Sequence, residues 1–149
     1  MRVLGLDLGE RRIGVALSDP LGSLATPLMV LESGNREAAL AAIEDLVYKH
    51  NVEQIVVGYP LSMNGTVGRQ AHRVDKYVAR LCARFQASDS QTKVPVILWD
   101  ERLSTVQAER LIHDAGKRVR RNRIDAAAAA VILQSYLDAQ PGATQGGTV

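Results

Sequence analysis

Apolar residues crowd into Val3-Leu4-Gly5-Leu6-Asp7-Leu8-Gly9. The run is short and punctuated by glycine, which suits a buried strand better than a helix and predicts β structure from about Arg2 to Leu8. After Gly9-Glu10-Arg11-Arg12, the residues Ile13, Val15 and Leu17 alternate with Gly14, Ala16 and Ser18. That period of two predicts a second strand whose larger side chains share one face. Asp19-Pro20-Leu21-Gly22 has turn chemistry. A third strand is expected near Leu24 to Leu31, and Pro27, which has no N–H for a ladder, places it at an edge or a bulge. Three strands joined by short turns make an antiparallel meander.

The period then becomes helical. Ala39, Ala42, Ile43, Leu46 and Val47 recur at helical spacing between Arg36 and His50, with Asn35 as the cap. Gln54 to Gly58 reads as a buried strand ending in a loop from Tyr59 to Gly68. Ala71, Val74, Val78, Leu81 and Phe85 form one stripe of a second helix. Val94 to Trp99 is a further strand that ends at Asp100-Glu101-Arg102. Ser104 with Gln107 reads as a capping box opening a helix to about His113. The alanine-rich stretch Asp125 to Ala139 predicts a last helix. A meander followed by strand–helix units gives a mixed α/β sheet with helices on its faces.

A length of 149 residues, 46% of them hydrophobic, fits one domain with a sizeable core. Residues 1–139 form that domain in this reading, and 140–149, rich in Gly, Thr and Gln, a flexible tail. No apolar run approaches the roughly 18 residues that span a membrane, and no secretory signal pattern opens the chain. The single cysteine, Cys82, cannot form an internal disulfide, so a cytoplasmic location is expected. The formal net charge is only +2, yet Lys117, Arg118, Arg120, Arg121 and Arg123 crowd one segment, and Arg11 and Arg12 follow the first strand. Clustered cations are a nucleic-acid footprint or, more plainly, a solvated loop.

Four acids carry the candidate chemistry. Asp7 lies within an apolar strand, where an ionised carboxylate needs a buried Arg or Lys, or a cation. Asp100 and Glu101 end a later strand, where ligands gather in open α/β sheets. Asp125 opens the last helix. If these elements are neighbours, carboxylates converge without histidine or cysteine, which favours a hard cation such as Mg²⁺ or Mn²⁺. Each acid also has an ordinary reading. Asp7 could pair with Arg2 or Arg12, Asp100 and Glu101 with Arg102 or Arg110, and Asp125 could simply cap its helix. His50, His72 and His113 lie at no ligand spacing, and neither Cys82 nor Ser62, Ser104 and Thr105 has a His–Asp arrangement beside it. Gly5-Leu6-Asp7-Leu8-Gly9 satisfies neither a dinucleotide nor a P-loop pattern.

Several segments resemble the YqgF (RuvX-like) family, whose members are assigned as pre-16S rRNA nucleases and as Holliday junction resolvases. They are Gly5-Leu6-Asp7-Leu8-Gly9 with Arg12-Ile13-Gly14-Val15-Ala16, Val56-Val57-Gly58-Tyr59-Pro60 with Asn64-Gly65, Trp99-Asp100-Glu101-Arg102-Leu103-Ser104-Thr105, and Ile124-Asp125-Ala126-Ala127-Ala128. They occur in family order and span nearly the whole chain. The resemblance implies an RNase H-like fold: a five-stranded sheet ordered 3-2-1-4-5, strand 2 antiparallel, with helices on both faces. It also implies that Asp7, Glu101 and Asp125 bind metal and that Asp7 touches two ions. Asp100 is the alternative neighbour, since adjacent strand residues point to opposite faces. Nuclease members of the fold often add a fourth acid on the last helix, where this chain has Ala128 and Ala129.

The leading expectation is a Mg²⁺- or Mn²⁺-dependent endonuclease acting on structured RNA, the 16S precursor by resemblance, or on branched DNA. Arg11, Arg12, Arg102 and the 117–123 cluster would neutralise phosphates, and the Asn64–Gly65 loop would lie near the site. With aromatics at 4%, backbone and shape would be read more than base sequence. A homodimer would favour a junction substrate and a monomer RNA trimming. Two other classes stay open. The first motif also resembles the phosphate loop of actin-like ATPases and sugar kinases, which bind nucleotide between two lobes. A non-catalytic adaptor could hold ribosomal RNA, a ribosomal protein or a transcription factor through the basic segment.

Overall fold

The computed structural model describes residues 1–32, 34–87, 94–104, 106–116 and 126–141, the side chains of 87 and 114–116 aside. Strands β1 (Val3–Leu8), β2 (Arg12–Ser18) and β3 (Ala25–Glu32) form the expected meander. Helix α1 (Arg36–Lys49), strand β4 (Gln54–Tyr59), helix α2 (Arg69–Ala87) and strand β5 (Val96–Asp100) follow. A 3₁₀ turn (Glu101–Leu103), α3 (Val106–Gly116) and α4 (Ala127–Asp138) complete the chain. The sheet order is β3-β2-β1-β4-β5, with β1–β2 and β2–β3 antiparallel and β1–β4 and β4–β5 parallel. This is the order implied by the resemblance.

Pro27 lies on the edge strand and beside a bulge. Val15 pairs with Met29 and Ala16 with Pro27, so Leu28 is the extra residue. Asn35 caps α1, its side chain accepting from the Ala38 N–H at 3.1 Å. The expected box at Ser104 is displaced. Its N–H closes the 3₁₀ turn onto the Glu101 carbonyl, and α3 starts only at Val106, preceded by residue 105, which is not described. Helix α4 starts at Ala127, with Ala126 in the cap position making no side-chain cap bond. The sequence placed that start at Asp125, which lies outside the described residues, as do 142–149 of the expected tail. No helix among the described residues is long and apolar enough to cross a membrane.

The two faces of the sheet are built differently. On one, Leu4, Leu6, Ile13, Val15, Leu17, Ile55 and Val57 bury large side chains against α1 and α2, each such group contributing roughly 1.5–3 kcal/mol. On the other, Val3, Ala16 and Val56 meet Ala129, Ala130, Ile132, Leu133 and Tyr136 of α4 and Ile112 of α3. Strand alternation puts Gly5 on this second face, where a Cβ would stand 2.8 Å from the Leu133 Cβ and 3.2 Å from the Ala129 carbonyl oxygen. The glycine thus lets α4 lie almost on the sheet backbone.

Polar side chains of α4 lock this seating. Buried Gln134 accepts from the Ala25 N–H at 2.9 Å and donates to the Ser23 carbonyl at 3.0 Å. The Tyr136 hydroxyl lies 3.0 Å from the Gln54 amide oxygen, and its ring meets Trp99 edge-on at 5.3 Å.

Neither Leu133 Cβ nor a helix carbonyl can rotate away, so Gly5→Ala must push α4 outward. We expect it to destabilise the fold by about 1–3 kcal/mol, read as a lower urea midpoint with an unchanged slope. An unchanged midpoint would mean that the helix slides freely on the sheet.

Candidate active site

Asp7 shares the α4 face with Val3 and Gly5, at the C-terminal end of the central strand. It is half-buried, and neighbouring β4 pairs Val57 with Leu6, bringing Gly58 alongside. Gly58 is required for what crosses it. A Cβ there would be 2.7 Å from the Glu101 Oε1, 3.2 Å from its Cγ and 2.7 Å from the Ile132 Cδ1. The Glu101 side chain therefore lies over β4, between the sheet backbone and α4, and runs toward Asp7.

The electrostatics reflect this placement. Burial holds the Asp7 carboxyl above its ordinary range. Burial also raises Glu101, as do the negative charges of Asp7 and then Asp100. Among the described residues no cation pairs with either group; Arg2 bonds the Ser18 carbonyl and Arg12 approaches Glu32. No third His, Cys, Asp or Glu among the described residues completes a three-ligand set. Asp125, expected as the third acid, lies outside the described residues, as do Lys117, Arg118, Arg120, Arg121 and Arg123.

Asp100 has a different task. Its carboxylate accepts from the Arg102 N–H at 2.9 Å and grips the guanidinium, with Nη2 to Oδ2 at 2.7 Å. The Arg102 hydrogen bond holds this acid below the usual range. Arg102, expected to meet nucleic acid, is thus engaged along one edge, and its Nη1 reaches the Met63 carbonyl at 3.5 Å. The Asn64–Gly65 loop meets the site through this arginine. Asn64 Oδ1 stiffens the loop, accepting from the Ser62 hydroxyl at 2.6 Å and the Thr66 N–H at 3.1 Å. Arg11 and Arg12 stand exposed at the β1–β2 turn. Sequence reasoning missed Ser135, whose hydroxyl donates to the Leu103 carbonyl at 2.7 Å and so ties the Glu101 turn to α4. A serine in an alanine-rich helix gives no local signal of that contact.

Comparison with known proteins bears on the same segments. A family model described as "RuvX: Holliday junction resolvase" matches residues 1–139. The chain belongs to the RuvX family. A protein named "Putative pre-16S rRNA nuclease" from Geobacillus kaustophilus (strain HTA426) is 43% identical over 144 residues, covering 94% of this chain and 99% of that protein. Another of the same name, from Moorella thermoacetica (strain ATCC 39073 / JCM 9320), is 46% identical over 140 residues, covering 93% and 95%.

Two solved structures are similar to this RuvX-family chain in fold. Thermus thermophilus RuvC in complex with a Holliday junction substrate gives a TM-score of 0.60 at 15% identity, over 91% of this chain and 94% of that one. The fowlpox virus resolvase with its Holliday junction DNA gives 0.56 at 13%, over 93% and 97%. The RNase H-like fold inferred from the motifs is the fold of this chain.

The acid pair also sets a pH dependence. Both folded-state pKa values lie above those of the unfolded chain, so the folded state holds these protons more tightly. The pair favours folding at low pH, and that contribution is lost as pH rises from the ordinary carboxylate range through the raised values. In EDTA, Asp7→Asn and Glu101→Gln should therefore melt above the parent near pH 7, and the gap should close toward about pH 4. A gap that stays constant across such a melting series would show that neither carboxyl is held above its ordinary range in the folded state.

Proposed function

We propose that this protein is a metal-dependent endonuclease that hydrolyses phosphodiester bonds in structured nucleic acid, with the 5′ region of the 16S rRNA precursor as substrate. The observation that carries the reading is the Asp7–Glu101 pair, two half-buried carboxylates of which Glu101 feels the charge of Asp7, in a RuvX-family chain. The names of the relatives from Geobacillus and Moorella point to the RNA. The family description favours a second substrate, the four-way DNA junction.

The donor set suits a hard divalent cation: two carboxylates with raised pKa values, with no counter-cation among the described residues. Asp7 and Glu101 would hold Mg²⁺ or Mn²⁺, with Asp125 as the third ligand. A cation bound there supplies charge neutralisation for the attacking and leaving oxygens of an in-line displacement. The chain's own contribution is placement. Gly58 and Ile132 confine the Glu101 side chain, and Ser135 holds its turn. Asp100 fixes Arg102 as a directed cation at the rim, and Arg11, Arg12 and the 117–123 segment neutralise flanking phosphates. The activity resides in one domain, residues 1–139, and the lone cysteine suits a reducing cytoplasm.

Side-by-side incubation of labelled precursor RNA and a four-way junction with Mg²⁺, Mn²⁺ or EDTA tests this. RNA cutting that needs metal, and that falls at least about 100-fold in Asp7→Asn, is expected, since loss of even an outer-shell partner costs about 10–100-fold. Junction cutting alone would move the substrate to DNA. Binding of either nucleic acid without any cutting would favour the adaptor. Metal should also stabilise the parent, by about 2.7 kcal/mol at a hundredfold excess over Kd, read as a higher melting temperature, and leave Asp7→Asn unmoved.

A further inference from the structure

Away from the acid pair, the described surface holds a concavity of about 200 Å³ on the opposite face of the sheet. Its floor includes Leu8, Gly9 and Glu10, the residues that follow Asp7, and its walls come from α1 and α2. Alternation along β1 thus sends Asp7 to one side of the strand end and Leu8 to the other.

The lining is strongly cationic. Arg36, Arg73, Lys76 and Arg80 stand against one carboxylate, Glu10. Arg73 is taken up by Glu10 at 3.1 Å and by Gln70. Arg36, Lys76 and Arg80 are exposed and have no ion pair with any described residue. Tyr77 lines the same hollow, and its buried hydroxyl has no hydrogen-bond partner among the described residues. Positions 73, 76 and 80 lie three and four residues apart, so the cations form a row about 10 Å long on one side of α2.

Size and shape select the ligand. Sites that enclose drug-sized molecules run from roughly 300 to 1,000 Å³, so this hollow suits a phosphate group and is too small to enclose a nucleotide. The row lies against Gly9 and Glu10 of the β1–β2 turn, the turn that also carries exposed Arg11. A single small anion would use one end of such a row; a strand of linked phosphates uses all of it.

The geometry points to a phosphate clamp: Arg36, Lys76 and Arg80 hold the backbone of the substrate strand after it has crossed the β1–β2 turn, on the sheet face opposite the carboxylates. This rests on the nucleic-acid reading above, though not on cleavage. The sequence carried a signal for it, basic residues at 69, 73, 76 and 80 in helical register, beside the apolar stripe of the same helix.

The test is binding of labelled precursor RNA in EDTA from about 50 to 200 mM salt, for the parent and for R36Q/K76Q/R80Q. These side chains are exposed, so the fold should persist, and an unchanged melting temperature checks it. The single variant Lys76→Glu serves if the triple one melts early. The triple variant should bind at least about tenfold more weakly at low salt, and its log K against log salt should be shallower by about 2, from roughly 0.7 per lost phosphate contact. Affinity and slope equal to the parent's would overturn the clamp. So would a variant that loses competition by inorganic pyrophosphate yet keeps the parent's RNA slope, because the hollow would then be a small-anion site. A changed slope in a protein that cuts nothing would count against the nuclease reading and leave the clamp standing.

Discussion

The close seating of α4 on the sheet, over a strand whose side chain is missing at Gly5, is the constraint on which the rest of this molecule depends. Gly5 removes the Cβ that would meet Leu133, and Ala16, Ala129 and Ala130 keep both surfaces low. A helix so close to the backbone gains dispersion contacts along its whole length. It also brings polar side chains within reach of main-chain groups that a more distant helix would miss. Gln134 spans to β3 and Ser135 to the Leu103 carbonyl, so the two edges of the sheet are tied through one helix.

The acid pair is a by-product of that seating. Glu101 occupies a slot floored by Gly58 and roofed by Ile132, and the slot leads to Asp7. Two carboxylates confined in this way repel each other, and burial weakens the water that would screen them. The fold therefore holds an electrostatic strain at this point. Next to it, Asp100 shows the opposite solution to the same problem: a two-point grip on Arg102 stabilises its charge. Neighbouring acids on one turn are thus held on opposite sides of their ordinary pKa, Asp100 by an arginine and Glu101 by burial and then by a second acid.

The sheet also separates charge by face. Large aliphatic residues fill the side under α1 and α2, so the cations of that side are pushed to its rim. The α4 side is thin and ends in carboxylates. The end of β1 belongs to both, since consecutive residues face opposite ways. Between the cationic rim and the acids stands the end of β1, followed by the β1–β2 turn with exposed Arg11.

The sequence by itself determined the elements. Short apolar runs, alternation in one strand, helical spacing in two helices, a capping pattern and an alanine-rich stretch located five strands and four helices, Pro27 marked the edge strand, and Asp7 stood out as a charge that an apolar strand does not bury unaided. The motifs in order carried the family and with it the sheet order. The tertiary structure decided which carboxylate lies beside Asp7, because that depends on Gly58 of another strand and Ile132 of a distant helix. It also decided that Arg102 is engaged by Asp100, that Ser104 closes a 3₁₀ turn, and that Ser135 anchors it. Local pattern reports the face on which a residue sits. Which faces meet, and how closely, is set by register and side-chain volume across segments more than a hundred residues apart, and no period in the chain records that.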